Sequence, residues 1–100
     1  NYKLTVGTWK SSNGKTIIIT SDGQLELWGS TYPIDKVSSN QYVSGIYTLT
    51  YVDSSQVGNT PIQLCPKGIS DGSDVGDNSK DRILATNGVP SEESYFYRVD

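Results

Sequence analysis

The stretch Gly7-Thr8-Trp9-Lys10-Ser11-Ser12-Asn13-Gly14-Lys15-Thr16-Ile17-Ile18-Ile19-Thr20-Ser21-Asp22-Gly23-Gln24-Leu25-Glu26-Leu27-Trp28 carries two turn signals, Ser12-Asn13-Gly14 and Ser21-Asp22-Gly23, between short apolar runs. Such punctuation marks hairpins. Loop length follows from parity, because directly opposed residues on paired strands share one face of a sheet. A two-residue Asp22-Gly23 loop would set Ile19 against Glu26. A three-residue loop sets Ile19 against Leu25 and Ile17 against Leu27, and leaves Ile18 beside Glu26 on the other face. The same test on the first corner pairs Trp9 with Ile17 and Lys10 with Thr16. Both loops then end in glycine, which takes the positive φ that a three-residue hairpin loop requires at its last position. Residues 7–28 therefore read as a three-stranded meander whose buried face holds Trp9, Ile17, Ile19, Leu25 and Leu27.

The pattern continues along the chain. Tyr42 to Val52 alternates Tyr47, Leu49 and Tyr51 against Thr48 and Thr50, a half-buried strand with its aromatic face inward and Gly45 as a bend. Tyr32 to Val37 reads as a further short strand. Ile62 to Cys65 is a strand bracketed by Pro61 and Pro66, the flanks of an edge or very short strand. Arg82 to Thr86 is another, and Tyr95 to Val99 sets Tyr95, Tyr97 and Val99 on one face against Phe96 and Arg98. No segment repeats apolar residues at helical spacing over three turns. The expectation is an all-β fold, a small antiparallel meander barrel of seven or eight short strands, with residues 1–6 as a linker or leading segment and 7–100 as one domain.

Length and composition agree. One hundred residues hold one core. The apolar share is 34%, and the shortfall is filled by Ser, Thr, Gly and Asn rather than by charge, so the chain reads as folded, not disordered. With 8 Lys and Arg against 11 Asp and Glu, no basic stripe is available for a phosphate backbone, and nucleic acid is not an expected partner. No apolar run approaches the roughly 18 residues of a membrane span. The chain starts at Asn1 and contains no Met, which reads as a processed or excised piece. A single cysteine, Cys65, forbids an internal disulfide, and its neighbours offer nothing to lower its pKa, so it reads as an inert thiol. The Ser, Thr, Asn and Gly content fits an extracellular surface, and a monomer is expected.

The chemistry is defined first by what is missing. Without histidine there is no Ser-His or Cys-His nucleophile and no imidazole metal ligand. A glycosidase-like carboxylate pair is the remaining catalytic option, and neither Glu26 nor Glu92 and Glu93 stands out from solvated surface carboxylates. The chain reads as a non-enzyme with no required cofactor. Asp71, Asp74, Asp77 and Asp81 concentrate oxygen ligands of the kind calcium prefers, but they lie three or four residues apart and lack the closing glutamate of an EF-hand, so a solvated loop is the plainer reading. Trp28 falls opposite Leu25 and Leu27, with Tyr32 near it. Aromatics placed this way stack on sugars or anchor a protein partner, or simply cover the end of a barrel. Asp81-Arg82 reads as a surface ion pair.

Two resemblances follow from residues already quoted. Gly7-Thr8-Trp9 on the opening strand with Arg98 on the closing strand resembles the lipocalin and calycin signature, in which a Gly-x-Trp meets an arginine from the last strand. This implies a calycin-like barrel with a cation over an indole face; at this length the interior is filled by side chains. Gly7-Thr8-Trp9-Lys10, Asn13-Gly14-Lys15-Thr16, Ser44-Gly45-Ile46-Tyr47, Ser79-Lys80-Asp81-Arg82-Ile83 and Tyr95-Phe96-Tyr97-Arg98-Val99 resemble an uncharacterised domain family of secreted proteins and lipoproteins of low-GC Gram-positive bacteria. That resemblance implies a tethered module of a larger surface protein and carries no known activity. The functional expectation is a non-catalytic interaction or spacer domain with a protein, glycan or small-molecule partner, and the alternative is a calycin-like ligand or glycan binder using Trp28 and Tyr32.

Overall fold

The computed structural model describes residues 5–40, 44–53, 61–70, 72, 75–86 and 89–99. Eight antiparallel strands, β1 (Gly7–Lys10), β2 (Thr16–Ile19), β3 (Gln24–Leu27), β4 (Ser30–Ser39), β5 (Tyr47–Tyr51), β6 (Ile62–Cys65), β7 (Arg82–Ala85) and β8 (Tyr95–Arg98), pair in chain order and close into a barrel. A 3-10 turn, Glu92–Ser94, precedes β8. No helix among the described residues is long and apolar enough to cross a membrane.

The first three strands have the register that parity requires. Trp9 opposes Ile17 and Lys10 opposes Thr16, then Ile17 opposes Leu27 and Ile19 opposes Leu25. Ser11 N–H donates to Lys15 O at 3.0 Å and Thr20 N–H to Gln24 O at 3.0 Å, closing both three-residue loops. The aligned face carries Trp9, Ile17, Ile19, Leu25 and Leu27 into a core completed by Leu49, Ile62, Leu64, Ile83 and Phe96, all essentially inaccessible to water. Each buried side chain of this size contributes about 1.5–3 kcal/mol relative to its exposed state.

Three strand expectations change. The strand read at Tyr32 to Val37 spans ten residues, because a register shift between Ile34 and Lys36 re-phases it. Tyr32 and Ile34 pack on the core before the shift and Val37 after it, a spacing that defeats simple alternation. Ile62–Cys65 is short but not an edge strand: it pairs with β5 on one side and β7 on the other. Tyr47 does not point its ring into the core with Leu49 and Tyr51; it stands at the barrel rim, 40% exposed.

The barrel has a second apolar layer on its outside. Residues paired across β6, β7 and β8 share faces, so Cys65, Arg82 and Tyr97 form one outward row and Leu84 and Tyr95 another. This outer face is buried. Ile46, Cys65, Leu84 and Tyr95 pack with Ile69, Val75 and Tyr97, of which Cys65, Leu84, Tyr95 and Tyr97 come from the outer wall and Ile46 immediately precedes β5. Described residues of the connection between β6 and β7 are bonded to one another and, through Tyr97, to this layer. Lys67 N–H donates to Asp81 Oδ1 at 2.8 Å, Gly68 N–H to Asn78 O at 2.7 Å, and Asp77 N–H to Tyr97 Oη at 2.8 Å.

Arg82 organises this connection, which corrects its reading as half of a surface ion pair. The side chain is 1% exposed. Its Nη2 donates to Ile69 O at 2.7 Å and Asn78 Oδ1 at 2.9 Å, and Nη1 donates to Lys80 O at 3.3 Å and Pro66 O at 3.4 Å. A planar fork with several donors can bridge acceptors from separate turns of one connection. Asp81, meanwhile, holds the Lys67 amide.

Candidate functional site

The pairing order defines two barrel ends. At one end β1 begins and β6 and β8 finish, and here the barrel is closed by Trp9 and Arg98. Trp9 pairs with Arg98 across the seam, the guanidinium carbon lies 4.5 Å from the indole centroid, Arg98 Nη1 donates to Val6 O at 2.6 Å, and Trp9 Nε1 donates to Thr5 O at 2.9 Å. Beside this closure is a cavity of about 350 Å³, bordered by Thr5, Trp9, Tyr47, Leu64 and Asp81 among others. Its walls join the rim of the core to the outer layer, with Leu64 4% and Cys65 1% exposed. An open groove also runs along the outer wall by Lys10, Asp77, Glu92 and Tyr97.

At the opposite end, among the described residues, the 11–15 turn, the two-residue turn Trp28-Gly29 and the segment before β8 come together. Trp28 has φ 53 and Gly29 φ 84, the type I′ arrangement in which both central residues are left-handed. Trp28 is the one non-glycine residue with positive φ among those described. A bulky side chain in this region costs about 1–2 kcal/mol, and asparagine or glycine is the usual occupant. Trp28 is 46% exposed, its ring tilted 44° to Phe96 at a centroid distance of 5.7 Å, with Lys15 Nζ 5.0 Å from its centroid. It thus covers the barrel end over Phe96 and keeps nearly half its surface in water. A cleft of about 220 Å³ opens next to it, bordered by Asn13, Lys15, Thr86, Ser91 and Glu93. Asn13 Nδ2 reaches Glu93 Oε2 at 3.4 Å across the cleft.

The other residues singled out in the sequence are placed elsewhere. Tyr32 leans on Tyr51, ring centroids 5.0 Å apart, packs against the core, and does not border the Trp28 cleft. Asp71 and Asp74 lie outside the described residues. Asp77 accepts from the Ser79 amide at 2.9 Å and the Ser79 hydroxyl at 2.5 Å, and these bonds, with Lys80 and Arg82 nearby, hold its carboxyl below the usual carboxylate range. Asp77 and Asp81 are therefore engaged in holding the β6–β7 connection, and no group of three His, Cys, Asp or Glu side chains able to hold a metal occurs among the described residues. Cys65 is a buried free thiol in the outer layer.

Sequence reasoning passed over Asn13, Lys15 and Glu93 as turn and loop residues. Asn13 and Glu93 meet only because the barrel closes, which no local pattern reports. The signal that was available is Trp28-Gly29 itself, a tryptophan where a tight hairpin turn favours asparagine.

No curated protein matches the chain, and no solved structure does. Residues 3–100 match the model of a family described as a domain of unknown function, DUF6287, and the chain belongs to that family.

Proposed function

We propose that this domain is a non-catalytic interaction module of a secreted, surface-attached protein, of the kind found on Gram-positive bacteria, and that it works without a bound cofactor. The observation that carries this reading is the filled barrel. Trp9, Ile17, Leu25, Leu27, Leu49, Ile62, Ile83 and Phe96 occupy the interior, so a partner is met on the outer surface and at the barrel ends. The side-chain inventory supports it too: histidine is absent, and the carboxylates Asp77 and Asp81 are committed to backbone and hydroxyl donors of their own connection. An address outside the cell is supported by a composition rich in Ser, Thr, Asn and Gly.

The test is co-sedimentation of the purified chain with Gram-positive cell envelopes, with the supernatant assayed for released sugars and peptides. Retention without release is the expected result. Released product overturns the non-catalytic reading, and failure to sediment overturns the surface-interaction reading.

A further inference from the structure

We propose that the cleft beside Trp28 is a subsite for one ring of an uncharged saccharide. The inference deepens the reading of the domain as an interaction module and rests on it.

Three observations lead there. The first is Trp28 itself, a bulky residue kept in a left-handed turn position at φ 53 that asparagine would fill more easily, and left 46% exposed. Strain retained at an exposed aromatic calls for an explanation beyond packing. Phe96 backs the ring from the barrel side, the centroids 5.7 Å apart. The second is the chemistry of the rim. Asn13, Thr86, Ser91 and Glu93 offer amide, hydroxyl and carboxylate groups, and Lys15 adds an ammonium. One acid and one base leave the rim without net charge, which disfavours phosphate or polyanionic ligands. Lys15 Nζ already rests 5.0 Å from the indole centroid, where the electron-rich face attracts positive charge. The polarised C–H face of a pyranose meets the same field, and on its arrival the flexible lysine is free to swing to the ring's hydroxyls. The third is size. A cleft of about 220 Å³ is smaller than the pockets of drug-sized ligands, at roughly 300–1,000 Å³. It suits a single ring of a chain that continues into solvent.

The experiment is a titration of the full chain with cellotriose, maltotriose and triacetylchitotriose, followed by amide and indole NMR shifts and by tryptophan fluorescence. Trp9 is 1% exposed and serves as the internal reference. At least one trisaccharide is expected to shift the Trp28 indole and the Asn13 and Ser91 amides in a saturable way. Trp28→Asn, which places a residue suited to the turn, is expected to weaken that binding at least tenfold while the spectrum of the remaining amides stays folded. Glu93→Ala, at an exposed position, is expected to weaken it several-fold. Shifts confined to other surfaces overturn the subsite. Absence of saturable binding by all three sugars overturns it as well, and if envelope retention then persists in Trp28→Asn the module reading survives without it.

Discussion

Arg98 lies over Trp9, its guanidinium carbon 4.5 Å from the indole centroid, at the seam where the last strand returns to the first. The β1–β8 register comprises two pairs, Trp9 with Arg98 and Lys10 with Tyr97, and Val99 N–H donates to Thr8 O at 2.9 Å beside them. The same arginine donates to Val6 O at 2.6 Å and thereby holds the chain ahead of β1.

Arg98→Ala is expected to lower stability by about 1–2 kcal/mol through loss of the stacked cation and its hydrogen bond. Arg98→Lys retains charge but not the planar guanidinium with its several donors, and is expected to recover less than half of that loss. Urea unfolding followed by Trp fluorescence measures both. Equal stability of all three proteins would mean that the backbone pairs alone close the barrel.

Gly76 and Gly14 separate steric conflict from backbone conformation, because their φ values are nearly the same, +87 and +88. A Cβ on Gly76 would sit 2.8 Å from Cε1 and 2.9 Å from Cζ of the fully buried Tyr95, whereas a Cβ on Gly14 meets nothing within 4 Å. Gly14→Ala is expected to cost about 1–2 kcal/mol, the left-handed penalty alone. Gly76→Ala adds an overpacking cost of about 1–3 kcal/mol. Thermal unfolding of the two variants should therefore differ clearly, with Gly76→Ala the less stable.

The fold was legible where side chains alternate against a single buried face. Trp9, Ile17, Ile19, Leu25 and Leu27 could be assigned, with their partners, from parity and two Ser-x-Gly corners. It was illegible where both faces are buried or the phase shifts. Cys65, Leu84 and Tyr95 lie on the outside of the barrel and are covered, so alternation does not separate them from the core, and the bulge after Ile34 hides the true length of β4. The Trp28 cleft was half legible. Its aromatic could be picked out as exposed, but Asn13 and Glu93 come together only through closure, and Tyr32 was drawn to it by nearness in sequence while the fold sends it to Tyr51.

Asp77 gives the outer connection a pH dependence. Its carboxyl is held below the ordinary value of 3.8, first by the Ser79 hydroxyl, then by the Ser79 amide, with Lys80 and Arg82 adding to this. A carboxyl whose pKa is lower in the folded state stabilises that state above the unfolded pKa. The contribution is lost as pH falls below about 4 and through the depressed value. Thermal melts from pH 6 down to pH 2 should show the native chain losing more stability than Asp77→Asn over the acid part of the range. Parallel acid profiles for the two proteins would show that the Ser79 bonds do not discriminate between the charged and neutral forms.

Arg82 makes the sharpest prediction, because its four acceptors all belong to the connection it pins. The carbonyls of Pro66, Ile69 and Lys80 and the side chain of Asn78 converge on one buried guanidinium, whose Nε finds no partner. Arg82→Met keeps much of the buried stem and removes the fork, leaving those oxygens either unsatisfied or forced outward to water. A loss of about 2–4 kcal/mol is expected. Arg82→Lys should recover little, since a point charge on a flexible stem does not span acceptors drawn from separate turns. The damage should be local before it is global. Hydrogen exchange at Gly68, Ile69 and Lys80, whose amides are bonded within the connection, should accelerate well before exchange in β2 and β3, and trypsin should cut first at Lys67 or Lys80. If exchange instead rises uniformly across the barrel, the connection and the barrel form one cooperative unit, and the arginine is a core residue of the whole fold rather than the pin of one segment.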